Sequence, residues 1–347
     1  MRTIKKVASH IFIDGFGGMT QGLFATLIIG TMIQQIGLLI GGSTGNVIYL
    51  LGKAAAALTS AGIGVGVAVK YGESPLVTVS AAVAAMVGGY AGKITGGTFF
   101  VDGNAVLAGP GEPLGAFIAA FAGITCGHLV SGKTKVDIIV TPVITIGAGS
   151  VVGLLVGPPI SQMMTGLGSI INWATEQRPF IMGIVVSVVM GMVLTLPISS
   201  AALGIILNLS GLAAGAATIG CCCNMVGFAV ASYRENKFGG LVAQGLGTSM
   251  LQVPNIMRHP LIWLPVIFSS AILGPVSTIL ANMQNNATGS GMGSAGLVGQ
   301  ITTYQTMIAY DDPKLVIIKI ILLHFVLPAV ITLFFSCLLY TSDAADE

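Results

Sequence analysis

Two segments carry side chains whose types and setting could do chemistry. The first is Gly109-Pro110-Gly111-Glu112-Pro113-Leu114-Gly115. Its prolines and glycines cannot continue a helix, so the backbone must present carbonyls and amides, with Glu112 in their midst. A carboxylate just ahead of an apolar helix gains from the positive end of the helix dipole. It can also accept hydrogen bonds from the hydroxyls of a sugar or another polar solute. It serves equally well as a capping residue in a surface loop. Asp102 and Asn104 lie upstream and could line the same cavity, although Asp102-Gly103 also reads as a turn. The second segment runs from Gln252 to Pro260, where Pro254 and Pro260 bracket amide, guanidinium and imidazole groups. If this loop dips into a membrane, Gln252 and Asn255 face a cavity. If it lies at the interface, Arg258 reaches out to lipid headgroups.

Further polar residues interrupt apolar runs: Gln34, Gln35, His128, Asn208, Asn224, Gln244 and His324. In a membrane helix such residues more often bond a neighbouring helix than a ligand. Asn208 and Asn224 rank first among them because they flank the glycine/alanine run 211–220. Ser199 joins the candidates in Leu196-Pro197-Ile198-Ser199-Ser200, where proline breaks the helix and hydroxyls can satisfy the freed backbone. The candidate solute-binding set is therefore Glu112, Asn208, Asn255, Asn224, Gln252, Asp102, Asn104 and Ser199. Phosphate-loop, zinc-protease and serine-hydrolase signatures are missing, no Cys/His spacing suits a metal, and no cofactor is expected. Cys221, Cys222 and Cys223 read as small packing residues.

The elements that must hold these groups follow from composition. Of 347 residues, 54% are hydrophobic and only 7% charged, and the mean hydropathy is +0.93. A soluble domain carries about 25% charged residues, so there are too few charges here to cover a water-facing surface. The net charge of +2, spread thinly, offers no patch for nucleic acid. The 49 glycines suit helices that pack backbone to backbone in lipid, and also broken helices. The expected fold is all-α: a polytopic membrane protein of about 9–10 transmembrane helices with re-entrant hairpins. Spans are expected near 19–41, 54–71, 75–92, 114–131, 137–158, 180–196, 201–231, 239–257, 261–282 and 315–336. The stretch 293–309 is too short and glycine-rich for a span and reads as a re-entrant arm. Residues 1–18 form an amphipathic interfacial segment, 19–336 a single membrane-embedded domain, and 337–347 a tail that resembles non-native read-through.

Charges mark the turns. With Arg2, Lys5 and Lys6 cytoplasmic, two crossings return Lys70 to that side and four return Lys133 and Lys135. Between Arg178 and Arg234 no charge occurs, and an odd number of crossings is needed. One crossing plus a re-entrant hairpin with its tip near 196–200 meets that count. Gly88-Gly89 and Gly239-Gly240 each open a glycine-rich path to a proline-flanked polar motif and an apolar span, an order that reads either as an internal repeat or as chance likeness between glycine-rich segments.

The run His10 to Thr31, the Gly109–Gly115 segment, Arg178-Pro179-Phe180-Ile181-Met182-Gly183 and Leu196–Ser200 together resemble a membrane enzyme IIC of the bacterial phosphotransferase system. Within that family the likeness is to the stand-alone subgroup that includes PfoR-type regulatory proteins, and it covers roughly residues 5–335. The resemblance implies a sugar-binding permease domain with re-entrant hairpins, a homodimer in the bacterial plasma membrane, and phosphorylation by separate IIB and IIA proteins. It also implies that Glu112 stands where the glucose-type members' sugar-contacting Glu does. Gly109, Glu112 and Pro113 match that motif, whereas Gly111 replaces its usual Thr, Pro110 its aliphatic residue, and the motif falls early in the chain. The family's catalytic histidine has no counterpart here. The alternative implied by the subgroup is a ligand-sensing membrane regulator that does not transport.

Overall fold

Apolar stretches punctuated by glycine fold here as helices that approach to backbone contact. The computed structural model describes residues 14–101, 103–107 and 109–343. Most of the expected interfacial segment at 1–18, and Asp102, lie outside the described residues. The chain divides into two compact units, Met1–Thr165 and Gly166–Glu347.

In the first unit, α1 (Phe16–Ile40) turns at Gly41 into α2 (Gly42–Ala57), which bends by 52° into α3 (Thr59–Lys70). Gly18 and Gly22 of α1 lie against Gly66 and Gly62 of α3: a Cβ at Gly18 would stand 2.5 Å from the Gly66 carbonyl, and one at Gly22 2.0 Å from the Gly62 carbonyl. Only glycine permits so close an antiparallel crossing. Next come α4 (Pro75–Gly89), the short α5 (Ala91–Thr95) and a hairpin of β1 (Phe100–Val101) and β2 (Asn104–Ala105). Then α6 (Pro113–Val130) leads to α7 (Asp137–Thr175), which contains the boundary between the units.

One end of this unit gathers its turns. Ser74 caps α4 by accepting from the Val77 amide, and its hydroxyl meets that of Ser131 at 3.0 Å. Glu73 pairs with His128 at 3.0 Å. The turns bearing Lys70, Lys133 and Lys135 therefore share one end, the arrangement the charge count requires.

In the second unit, α8 (Pro179–Thr195) breaks at Leu196-Pro197 and is followed by α9 (Ser200–Ile206) and α10 (Gly211–Ala231). The register between α8 and α10 rises in step. Ser187 lies against Gly220, and Thr195 bonds Asn224. The two helices are parallel, so the chain must double back between them, and α8–α9 is the re-entrant hairpin expected at 196–200. After α10 come α11 (Tyr233–Val242), a π-turn at Ala243–Gly247, a 3-10 turn at Ser249–Gln252, α12 (Val253–Arg258) and α13 (Pro260–Leu280). The span expected at 239–257 does not form, because Gly245, Gly247 and Pro254 divide it into short turns.

A second re-entrant path follows. Residues 282–297 run alongside α10 in irregular form, with Met283 against Gly215, Asn285 bonded to Thr218 and Ser294 touching Met225. Gly296 and Leu297 take positive φ, and α15 (Val298–Met307) returns, after the single turn α14 (Ala287–Ser290) earlier on the path. This is the arm expected at 293–309. The two re-entrant segments touch where the Ser200 hydroxyl donates to the Gly291 carbonyl at 2.6 Å. The last helix, α16 (Pro313–Leu339), completes the core with Val316, Ile320 and Leu323 against Ile219, Leu273, Met283 and Met307.

Among the described residues, six helices are long and apolar enough to cross a membrane, seven if α2 and α3 count as one bent span, and α4 and α8 are shorter apolar helices. The chain is an all-α polytopic membrane protein, and among the described residues the strand content is the two-residue pair β1–β2.

Candidate functional site

The Gly109–Gly115 segment of the first unit is held from behind by backbone contacts. The Glu112 amide donates to the Gly89 carbonyl at 2.7 Å. The Ser60 hydroxyl donates to the Pro110 carbonyl at 2.9 Å, and the Tyr90 hydroxyl donates to the Gly109 carbonyl. Gly111 has φ +78, and a Cβ there would stand 2.4 Å from Ser60 Oγ. At the adjoining crossing of α4 and α6, a Cβ at Gly88 would stand 2.3 Å from the Gly115 carbonyl and from Ala119 Cβ. The segment is thus a fixed bend moulded on the end of α4.

Glu112 precedes Pro113 at the start of α6, is half-buried, and makes no capping bond with its side chain. Nearby, Lys93 Nζ lies 5.4 Å from the Tyr90 ring centroid. Asn104 pairs with Val101 across the hairpin and is exposed.

The second unit builds its polar site from side chains. The Ser232 hydroxyl donates to the Phe228 carbonyl at 2.8 Å, so its oxygen must accept. Gln244 Nε2 donates to it at 2.9 Å. Gln244 Oε1 then accepts from Gln252 Nε2 at 2.8 Å, and Gln252 Oε1 accepts from Asn255 Nδ2 at 2.9 Å. A backbone carbonyl has no proton to give, so the orientation of the whole amide ladder is set from its anchored end. Its open end is Asn255 Oδ1, an acceptor.

This ladder borders a cavity of about 610 Å³ lined by the ends of α10, α12, α13 and α16, the start of α11 and the 3-10 turn at Ser249–Gln252. Its inner wall includes Phe228, Val266, Gln252 and Thr332, all buried. Its rim holds Glu235, Asn236, Asn255, Arg258 and His259, all exposed. Thr332 is fully buried, with its hydroxyl turned toward Gly227 of α10 and without a hydrogen-bond partner among the described residues.

Behind the cavity stands a second network centred on Asn224. Its Nδ2 donates to the Gly220 carbonyl at 3.1 Å and to Ser270 Oγ at 3.4 Å. Its Oδ1 accepts from Thr195 at 3.0 Å and from Trp263 Nε1 at 3.2 Å, and Thr195 meets Ser249 at 2.9 Å. Trp263 packs on Phe228, Ile256 and Val266, and Phe228 and Val266 also line the cavity.

The expected site residues therefore separate. Gln252 and Asn255 come together at one cavity, and Asn224 braces it from inside. Asn208 is exposed with φ 48 at the end of α9, a turn position. Ser199 caps α9 by accepting from the Ala202 amide at 3.2 Å. Neither lines the cavity. Gln244 joins the site through hydrogen bonds that spacing alone does not show. Thr332, on the distant helix α16, carried no sequence signal, because a threonine in an apolar run is ordinary.

No match emerges from a comparison with curated proteins. A family model described as "Phosphotransferase system, EIIC" matches residues 13–345, nearly the whole chain. Its span takes in both units, both re-entrant hairpins and every polar cluster described above. The chain thus belongs to the phosphotransferase system EIIC family and is a transporter component of that system.

Proposed function

We propose that this protein is the permease subunit of a sugar phosphotransferase complex, with the cavity of the second unit as the place where a polyol is held. The observation that carries the reading is the oriented amide ladder. Its open acceptor, Asn255 Oδ1, faces a space large enough for a small solute, and a sugar hydroxyl is a donor suited to it. Buried Gln252 keeps Asn255 in place. Glu112 is proposed as a second solute contact in the other unit, since a half-buried carboxylate on an irregular bend can accept hydrogen bonds from solute hydroxyls. A separate IIB protein phosphorylates the solute, the protein works as a homodimer in the bacterial plasma membrane, and the lysine-bearing end of the first unit is cytoplasmic. That last assignment follows from the positive-inside rule.

The test uses the full chain in detergent with a panel of hexoses and hexitols. Saturable binding of one of them is expected, weakened about tenfold or more, roughly 1.4 kcal/mol, by Gln252→Ala and by Glu112→Gln. Unchanged affinity in either variant removes that residue from the site. Saturable counterflow in proteoliposomes is expected for a permease, whereas binding without flux would refute transport.

A further inference from the structure

We infer that the rim of the second unit's cavity is an oxyanion site for a phosphate group, with Arg258 as its principal contact and His259 as a further donor. The inference rests on the reading of this cavity as a solute site and extends it to the solute's phosphate ester.

Two features meet here. Arg258 lies on the rim and has no ion pair among the described residues, although Glu235 lines the same cavity. A guanidinium is always charged and presents a planar fork of donors matched to phosphate oxygens. His259, the next residue, adds a ring N–H on the same rim.

The donors and the ladder demand different atoms of a ligand. Asn255 Oδ1 accepts, so it calls for a hydroxyl. Arg258 and His259 donate, so they call for oxygens without protons. A phosphorylated polyol carries both kinds. A phospholipid headgroup carries the phosphate as well and reaches a rim bordered by Leu261, Ile262 and Leu339. Glu235 opposes either anion and sets an upper limit on affinity.

The test is a titration of the full-length Trp173→Phe protein in lipid-free detergent with inorganic phosphate, read by the fluorescence of the remaining Trp263. Trp263 packs on the Phe228 and Val266 that line the cavity. A saturable change is expected. Arg258→Gln should weaken it at least tenfold, Arg258→Lys should restore part of it, and Glu235→Gln should strengthen it several-fold. Absence of saturation, or equal affinity in Arg258→Gln, overturns the site. Added phosphatidylglycerol separates the sources. Displacement of phosphate by the lipid assigns the site to a headgroup, and retention assigns it to a soluble ester. No sugar is present, so failure here leaves the hydroxyl-reading ladder standing, and failure of sugar binding leaves this site standing.

Discussion

The bend at 109–115 and the cavity at 228–265 solve one problem with opposite materials. Each interrupts the helices of a membrane unit and must satisfy polar groups where water is scarce. The bend does so with backbone: carbonyls of Gly109 and Pro110 accept from Tyr90 and Ser60, and the Glu112 amide donates to Gly89. The cavity does so with side chains strung from Ser232 to Asn255. A backbone device is rigid and breaks when an atom is added. A side-chain device breaks when an atom is removed.

The largest effect should come from adding bulk to the first. Gly88→Leu would force a side chain into the crossing where a Cβ already stands 2.3 Å from the Gly115 carbonyl. Overpacking of side chains costs about 1–3 kcal/mol. Here one of the obstructing atoms is backbone, so about 3 kcal/mol or more is expected. The measurement is thermal unfolding in detergent, with Leu261→Ala on the cavity rim as the comparison, expected to move the midpoint by at most a degree or two. A Gly88→Leu protein as stable as wild type would show that the bend is not fixed by this contact.

The next effect comes from subtraction. Asn224→Ala removes the acceptor of Trp263 and the donor to Ser270, whereas Thr195 keeps Gly191 and Ser249 as partners. Buried donors left unsatisfied cost about 1–3 kcal/mol, so a loss of about 2 kcal/mol is expected. It should come with a shift in Trp263 fluorescence, because the indole loses its partner. Loss of stability with unaltered fluorescence would place the damage elsewhere than at Trp263.

How far these two regions could be read from sequence differs for the same reason. Proline and glycine announce irregular backbone locally, so the break at 196–200, the arm at 293–309 and the bend around Glu112 were all legible. The span anticipated at 239–257 failed because mean apolarity outweighed Gly245, Gly247 and Pro254 in the reading, whereas the chain obeys those breakers. Side-chain networks are long-range. Asn224 and Trp263 are 39 residues apart, and Thr195 and Ser249 are 54 apart. Nothing local tells Asn224, which braces a cavity, from Asn208, which serves a turn. Asn208 was legible as a polar break but not as a left-handed one.

The smallest effect sharpens the comparison from the first unit's charged end, where a side chain rather than the backbone is decisive. Burial, helped by the negative charge of Asp14, pushes the Tyr71 phenol up from 10.0 to about 12. Its ring packs edge-on to Phe121 with centroids 6.3 Å apart. The folded state therefore holds the phenolic proton more tightly than the unfolded chain. Between pH 10 and 12 the unfolded chain binds fewer protons, so the slope of stability with pH is negative. The contribution is complete below pH 10 and disappears as pH rises through 12. Ultraviolet difference spectra should show late tyrosine ionisation, to which buried Tyr90 also contributes, and Tyr71→Phe should reduce the amplitude of that step and lessen the alkaline loss of stability. The cavity residues of the second unit include no tyrosine, so Gln252→Ala should leave this alkaline step unchanged. If Gln252→Ala shifted it, the two regions could not be treated as separately built.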